Sequence, residues 1–516
     1  MPCAMNRPAP PVGQPHWPAS KSICVLALML AGCATPVPQA LTPRLLPNDF
    51  EGQSRGTGHI WPEADWWRGF GSLELSELIA SAQSNNLDLA VAAARVMETH
   101  AQTTIQRAAL FPQFNLQAEG LRAGGTEGII NENAVTGNSF GLTAGASYEL
   151  DVWGLARDNL RSAEETLKSA RFAQQGVALT VTANVANEYF SVLALRKRIA
   201  IANEEIAAID GILETIKLRV STGKSSHLDL AQEQAQIEAA EAELPILQEQ
   251  ERESRIALAV LLGHPPETFD VDAQGPDDIH SPIVEAGLPS DLLLRRPDVA
   301  QAEANLAAAH ANVDAARAAF LPQFALTGNT GFAGTAVSAL LHGPSFAWDF
   351  GGTLMQTVFD GGKLIGQKNL ALATQKELVE SYRSAVINAY ADVENALGQV
   401  SNETKSESHL EHEVTAAREA FEISQLQYRQ GTTDFITVLQ AQGTLFSAED
   451  ELAQTVLARL QAVVHLYEAL GGGWTERREE RTQFPVAASP PFTREVAALH
   501  QACSATAFGP PTLRVY

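Results

Sequence analysis

Nowhere in the sequence do 18 or more apolar residues run together, so no segment is suited to cross a bilayer as a helix, and any crossing has to be made by strands. Cysteine is scarce. Cys3, Cys24 and Cys33 crowd the first 33 residues and only Cys503 lies beyond them, which excludes a disulfide-stapled scaffold. Basic residues are in deficit, 36 against 60 acidic for a net charge of -24, and such a surface repels phosphate backbones, so nucleic acid is not an expected partner. Also missing are a Gly-rich phosphate loop, a His-Glu-x-x-His pair and a serine-elbow pattern; with no catalytic constellation, an enzyme is not expected. What remains is a 516-residue chain with 45% apolar and 19% charged residues, the composition of a folded protein.

The N-terminus reads as an export signal: Lys21, an apolar run from Ile23 to Leu30, then small residues. Leu30-Ala31-Gly32-Cys33 resembles the lipobox of bacterial lipoproteins, in which cleavage leaves the cysteine as the first, lipid-bearing residue. The resemblance implies covalent lipid on Cys33 as the only attached group, and Ala34 after it favours the outer membrane. Acyl chains contribute about 0.8 kcal/mol per buried methylene, so several of them anchor the chain whatever else it does. Cleavage removes Arg7 and Lys21 and no acid, leaving 34 basic residues against 60 acidic, and Cys503 as the sole free thiol.

Self-similarity organises the rest. Phe111-Pro112-Gln113-Phe114-Asn115-Leu116 is echoed by Leu321-Pro322-Gln323-Phe324-Ala325-Leu326, an offset of 210. Asp151 before Trp153-Gly154 matches Asp360 before Gly361-Gly362 at 209, and Gly223 matches Gly431 at 208. The expected organisation is a signal peptide over 1–32, a lipidated linker over 33–60, a first repeat over 61–270 with a hairpin at about 112–152, a second over 271–474 with a hairpin at about 322–360, and a Pro-, Ala- and Ser-rich tail over 475–516 expected to be disordered.

Within each copy, hydrophobic period separates strand from helix. Phe140, Leu142, Ala144, Ala146, Tyr148 and Leu150 alternate with polar or small residues, as do Phe114, Leu116 and Ala118 and, later, Phe346, Trp348 and Phe350. Gly-, Asn- and Ser-rich loops are expected at about 123–138 and 331–344. Between hairpins the pattern turns helical: Val192, Leu195, Ile199, Ala202, Ile206, Ile209, Leu213, Ile216 and Val220 keep a 3-4 spacing, the seam of a coiled coil. Leu155 to Val220 and Lys363 to Tyr428 read as helices roughly 100 Å long. Each turns at Gly223 or Gly431 into an antiparallel partner, and Pro245 should kink the first of these.

Four strands cannot close a barrel, and an open edge in hydrocarbon costs several kcal/mol per unpaired amide. If these strands meet lipid, three chains must pool them into twelve. The alternative is a soluble sheet packed on helices, in a lipid-tethered periplasmic coiled-coil scaffold.

Trp66-Trp67-Arg68-Gly69-Phe70-Gly71, the two Pro-Gln-Phe strand starts, Leu293-Leu294-Arg295-Arg296-Pro297-Asp298-Val299, Phe359-Asp360-Gly361-Gly362, Tyr428-Arg429-Gln430-Gly431 and Leu470-Gly471-Gly472-Gly473-Trp474 together resemble the outer-membrane efflux protein family, the TolC-like outer-membrane factors, in the lipoprotein branch that serves resistance-nodulation-division pumps. The resemblance runs from Trp61 to Trp474. It implies an α+β membrane protein: a long antiparallel α-helical coiled-coil barrel, with four β-strands per chain that complete a twelve-stranded transmembrane barrel in a homotrimer. It also implies a passive gated duct for drugs, small molecules or ions, working with a periplasmic adaptor and an inner-membrane pump; a type I secretion outlet is the neighbouring function.

By the same resemblance the gate lies near the helix-hairpin turns at Gly223 and Gly431, with Tyr428, Asp434, Ile436, Gln440 and Asp229 as its residues and Ile436 as an apolar ring. Gln440 stands where many relatives carry aspartate and Gly443 where some carry arginine, which removes the charges of their latch. Asp229 and Asp434 offer either a replacement acidic ring or plain helix N-caps. His409 and His412 have metal-ligand spacing but sit among Glu407, Glu411 and Glu413, as a solvated face does, and no metal is expected. Substitution of Cys33 by Ser is expected to abolish incorporation of labelled palmitate into the chain; unchanged labelling would exclude Cys33 as the lipid site.

Overall fold

A computed structural model describes residues 63–126, 134–282, 295–339 and 346–473. Cys33, the signal, the linker and the C-terminal tail lie outside these residues, as do Leu293 and Leu294 and the centres of both expected loops. A 3-10 turn, Trp66–Phe70, leads into helices α1 (Leu73–Asn85) and α2 (Leu87–Ala108), strands β1 (Gln113–Thr126) and β2 (Ala134–Leu150), then α3 (Leu155–Ser221) and α4 (His227–Leu261). The same order returns as α5 (Pro297–Ala318), β3 (Gln323–Gly334), β4 (Phe346–Met355), α6 (Lys363–Gln430) and α7 (Phe435–Ala469). No helix among the described residues is long and apolar enough to cross a membrane.

The four strands form one antiparallel sheet in the order β1-β2-β3-β4. The helices next to it follow the same lateral order, α2 on α3, α3 on α5, α5 on α6, because each is joined by a few residues to its own strand. Short corners hold these joints. Asp151 accepts the backbone N–H groups of Ala156 and Arg157 at 3.1 and 2.9 Å, and Asp360 those of Gly362 and Leu364, both at 2.9 Å, so each carboxylate satisfies orphan donors at the start of its long helix. Trp153 Nε1 donates to Pro322 O at 2.7 Å and ties the first corner to the second hairpin.

One face of the sheet carries Phe114, Leu116, Trp348, Phe350 and Leu354, all exposed, with Phe114 at 81% and Trp348 at 73%. The other face presents Gln113, Asn115, Gln117 and Glu119 on β1, Thr143, Ser147 and Glu149 on β2, Thr327 and Asn329 on β3, and Asp349 on β4. The strands run further than expected. The ladder persists to Thr126 opposite Ala134, and β3 continues to Gly334, inside stretches assigned to loops. Glycines carry no hydrophobic alternation, yet their amides still need partners and find them across the ladder.

At mid-length the long helices are pinned by an aromatic core. Trp66 stacks on Tyr467 with ring centroids 4.7 Å apart, Phe70 packs on Phe190 at 5.0 Å, and Leu75, Ile79, Val185, Tyr189, Leu193, Leu258 and Val464 close round them. Away from the sheet, α4 lies along α3 and α7 along α6, and α3 also packs on α7. All nine residues of the expected seam from Val192 to Val220 are buried or half-buried. Pro245, expected to kink this helix, lies inside α4, which continues through it. Pro245 and Glu241, whose carbonyl loses its donor, are both exposed, on the solvent side of the helix.

Gly471 follows Leu470, the C-cap of α7, at φ 84°, and a Cβ there would press into the carbonyl oxygen of Arg295. Gly471→Ala therefore combines a left-handed backbone with a collision, and is expected to cost ~2 kcal/mol or more. A thermal unfolding midpoint in detergent equal to that of the parent would contradict this packing.

Candidate functional site

The helical hairpins end at two turns whose backbones take positive φ, 71° at Gly223 and 75° at Gly431, which glycine adopts without a Cβ penalty. Under them Ile212, Ile216, Ala417, Phe421, Tyr428, Phe435, Val438 and Leu445 form one apolar cluster that joins α3, α6 and α7, with Leu230 of α4 packed against it.

Of the residues expected at the gate, Ile436 is 46% exposed and Gln440 is exposed, on the first turns of α7. Tyr428 is 6% exposed and lies inside the hairpin pair rather than on its surface. Its hydroxyl shares a hydrogen bond with Ser225 Oγ at 2.9 Å, its carbonyl accepts from Arg219 Nη1 at 2.6 Å, and the Arg219 guanidinium lies 4.4 Å from its ring centroid. A single aromatic side chain at the end of α6 thus clasps the end of α3 and the turn after it. Phe435 closes on the same ring at 5.8 Å.

The two aspartates divide. Asp229 is not the N-cap: Ser226 is, its Oγ accepting from Asp229 N at 3.1 Å, while Ser226 N donates back to Asp229 Oδ2 at 3.1 Å. This reciprocal capping box occupies the Asp229 carboxylate locally. Asp434 holds the N-cap position of α7, but its side chain makes no capping bond and is exposed. His409 and His412 are exposed on α6, and among the described residues no group of three or more His, Cys, Asp or Glu is placed to hold a metal ion.

Three polar side chains at this end escaped the sequence reading. Glu233 is 0% exposed and neither carboxylate oxygen has a hydrogen-bond partner; Gln442 and the Nε of Arg219 are likewise buried without one. Burial alone raises the Glu233 carboxyl to about 7. The signal was present but unread: Glu233 falls on the seam between Leu230 and Ile237, where the seven-residue beat calls for an apolar residue.

The geometry defines a class: a sheet with an exposed aromatic face and outer edges unpaired among the described residues, grown directly into paired helices that end in a clasped tip. The model of the outer membrane efflux protein family matches residues 78–264 and again 288–472. The pyoverdine export outer membrane protein OpmQ of Pseudomonas putida (strain KT2440) is 36% identical over 464 residues, covering 88% of this chain and 98% of that protein. The cation efflux system protein CusC of Escherichia coli O6:H1 is 29% identical over 457 residues, with 88% and 98% covered. Among solved structures, the outer-membrane channel OprN superposes with a TM-score of 0.80 at 28% identity, covering 85% of this chain and 99% of that one. The chain belongs to the outer membrane efflux protein family, and it is an outer-membrane efflux channel with the fold of those channels.

Glu233 generates a pH prediction. Its folded-state value lies above the unfolded 4.5, so the neutral form favours folding; stability is greatest below pH ~4.5 and is lost as pH rises through about 7. The loss is on the order of 3 kcal/mol per chain. Glu233→Gln should flatten that decline in chemical denaturation followed from pH 5 to 8, and a parental slope retained in the variant would exclude Glu233 as its source.

Proposed function

We propose that three chains pool their sheets into one twelve-stranded barrel and act as a passive, gated exit duct for small molecules or ions. The observation that carries this reading is the sheet itself. The outer edges of β1 and β4 are unpaired among the described residues, and one face of the sheet is aromatic and exposed. In hydrocarbon every unpaired edge amide costs several kcal/mol, and outer-membrane barrels begin at about eight strands. The helices in line with those edges support the same arrangement: α2 and α6 expose Val91, Met97, Ile105, Ile365, Leu370 and Ile387, which suits contact with a neighbouring copy.

Lipid on Cys33 would anchor the assembly in the outer membrane, with the hairpin tips directed into the periplasm toward an adaptor and an inner-membrane pump. The pump supplies the energy, since the duct makes and breaks no bonds. The Tyr428 clasp holds the tip in its resting form. Opening requires α6 and α7 to leave α3, and with them the Ser225 and Arg219 contacts. Ile436, Gln440 and Asp434, exposed on α7, are the side chains that would face the constriction, while Asp229 holds the start of α4 in shape.

Conductance in planar bilayers tests the clasp. Tyr428→Phe removes one neutral hydrogen bond, worth ~1 kcal/mol, whereas Arg219→Ala removes a charged one and the ring contact, together ~2–4 kcal/mol. Mean conductance should therefore rise from the parent to Tyr428→Phe to Arg219→Ala. An Arg219→Ala channel as quiet as the parent would overturn the clasp.

A further inference from the structure

On the non-aromatic face of the sheet, one row of residues crosses all four strands at a single level. Asn115 on β1 faces Gly145 on β2, Gly145 faces Asn329 on β3, and Asn329 faces Asp349 on β4. Asn329 Nδ2 donates to Asp349 Oδ2 at 3.0 Å, which turns the Asn329 Oδ1 toward Gly145. From the other side Asn115 Oδ1 points at the same place. A Cβ on Gly145 would stand 2.5 Å from Asn115 Oδ1 and 3.0 Å from Asn329 Oδ1, so even a methyl group there would push the carboxamides aside. Two carbonyl oxygens thus converge over a bare Cα, next to a carboxylate. Acceptors facing one another repel unless a donor or a cation stands between them.

The neighbouring rows do not repeat this. Gln113, Ser147, Thr327 and Gly351 form one, and Gln117, Thr143, Gly331 and Ala347 the other, both without charge. Glu119 and Glu149 add negative charge further along, and no Lys or Arg stands on this face of the described strands. The face as a whole is therefore acidic, and its one level of convergent oxygens is the Asn115–Asp349 row.

We propose that Asn115, Asn329 and Asp349, set over Gly145, form a cation-transit girdle repeated three times round the lumen. The inference rests on the trimeric barrel proposed above, which turns this face inward. Its ligands are small cations, metal ions or protonated amines, passed through oxygen contacts too few for tight binding: hard cations such as Mg2+ and Ca2+ take six or more oxygens, and three protein oxygens leave the rest to water. Weak binding is what a conduit needs, since a site that holds its ion stops the flow. The girdle ranks passengers by charge at the outer-membrane end, independently of the tip.

Full-length channels in planar bilayers test it. A KCl gradient is imposed at low ionic strength, where screening is least, and Mg2+ or spermidine is added on the outer side. The parent should prefer K+ over Cl−. Asp349→Asn, nearly isosteric, should lower that preference by about twofold or more. Gly145→Ala, which displaces both carboxamides, should weaken outer-side block. Relief of block by Mg2+ alone would mark the site as one for metal ions, and relief of block by spermidine alone as one for amines; either supports the girdle. Parental conductance with unchanged ion preference and unchanged block in both variants would overturn the girdle and leave the pore intact. Absence of conductance in the parent and every variant would overturn the barrel and the girdle together.

Discussion

The structure depends on the backbone amides of β1 and β4. A four-stranded sheet in water can leave its edges to solvent, but one in hydrocarbon cannot, because there is nothing else for an N–H to bond. Everything peculiar about this chain follows from placing that sheet in a membrane. In the proposed trimer the edges find their neighbours in copies of the chain, which then also meet along α2 and α6, the helices in line with the edge strands. Apolar side chains exposed on those two helices then need no separate explanation.

Duplication supplies the parts and small differences assign their work. Both copies run helix, two strands, long helix, shorter helix, with corners capped by Asp151 and Asp360. At the tips the copies diverge. The first turn is reinforced by the Ser226–Asp229 capping box; the second leaves Asp434 uncommitted and sends Tyr428 into the first copy. In the opening proposed above, the reinforced hairpin is the fixed element and the one held by the aromatic clasp the moving one. Buried, unpartnered Glu233, Gln442 and Arg219 Nε lie at the same end. A core carrying such groups is less stable than an apolar one, and elements that move are drawn from the less stable regions.

Much of the fold was legible because it is written in periods. The oily alternation from Phe140 to Leu150 and the seam from Val192 to Val220 each announce one element, and the structure contains both. The strand extensions through Gly124 and Gly331 were illegible for the converse reason, since glycine has no side to declare. Site residues were less legible. Gly223 and Gly431 marked the turns, and Ile436 and Gln440 stand exposed beside them, but nothing local said that Tyr428 points inward, because its contacts with Arg219 and Ser225 join segments some 200 residues apart. The Ser226–Asp229 capping box is local, a Ser-x-x-Asp spacing that was legible and went unread. Asn115, Asn329 and Asp349 were unreadable, as the Tyr428 contacts were, because the row exists only once the register is set.

The native mass of the protein extracted in mild detergent bears most directly on the central claim. A particle of three chains is the result required by unpaired edges that must be completed. A stable one-chain particle in which the amides of β1 and β4 are nonetheless protected from hydrogen exchange would contradict it, for the sheet would then have satisfied its edges alone.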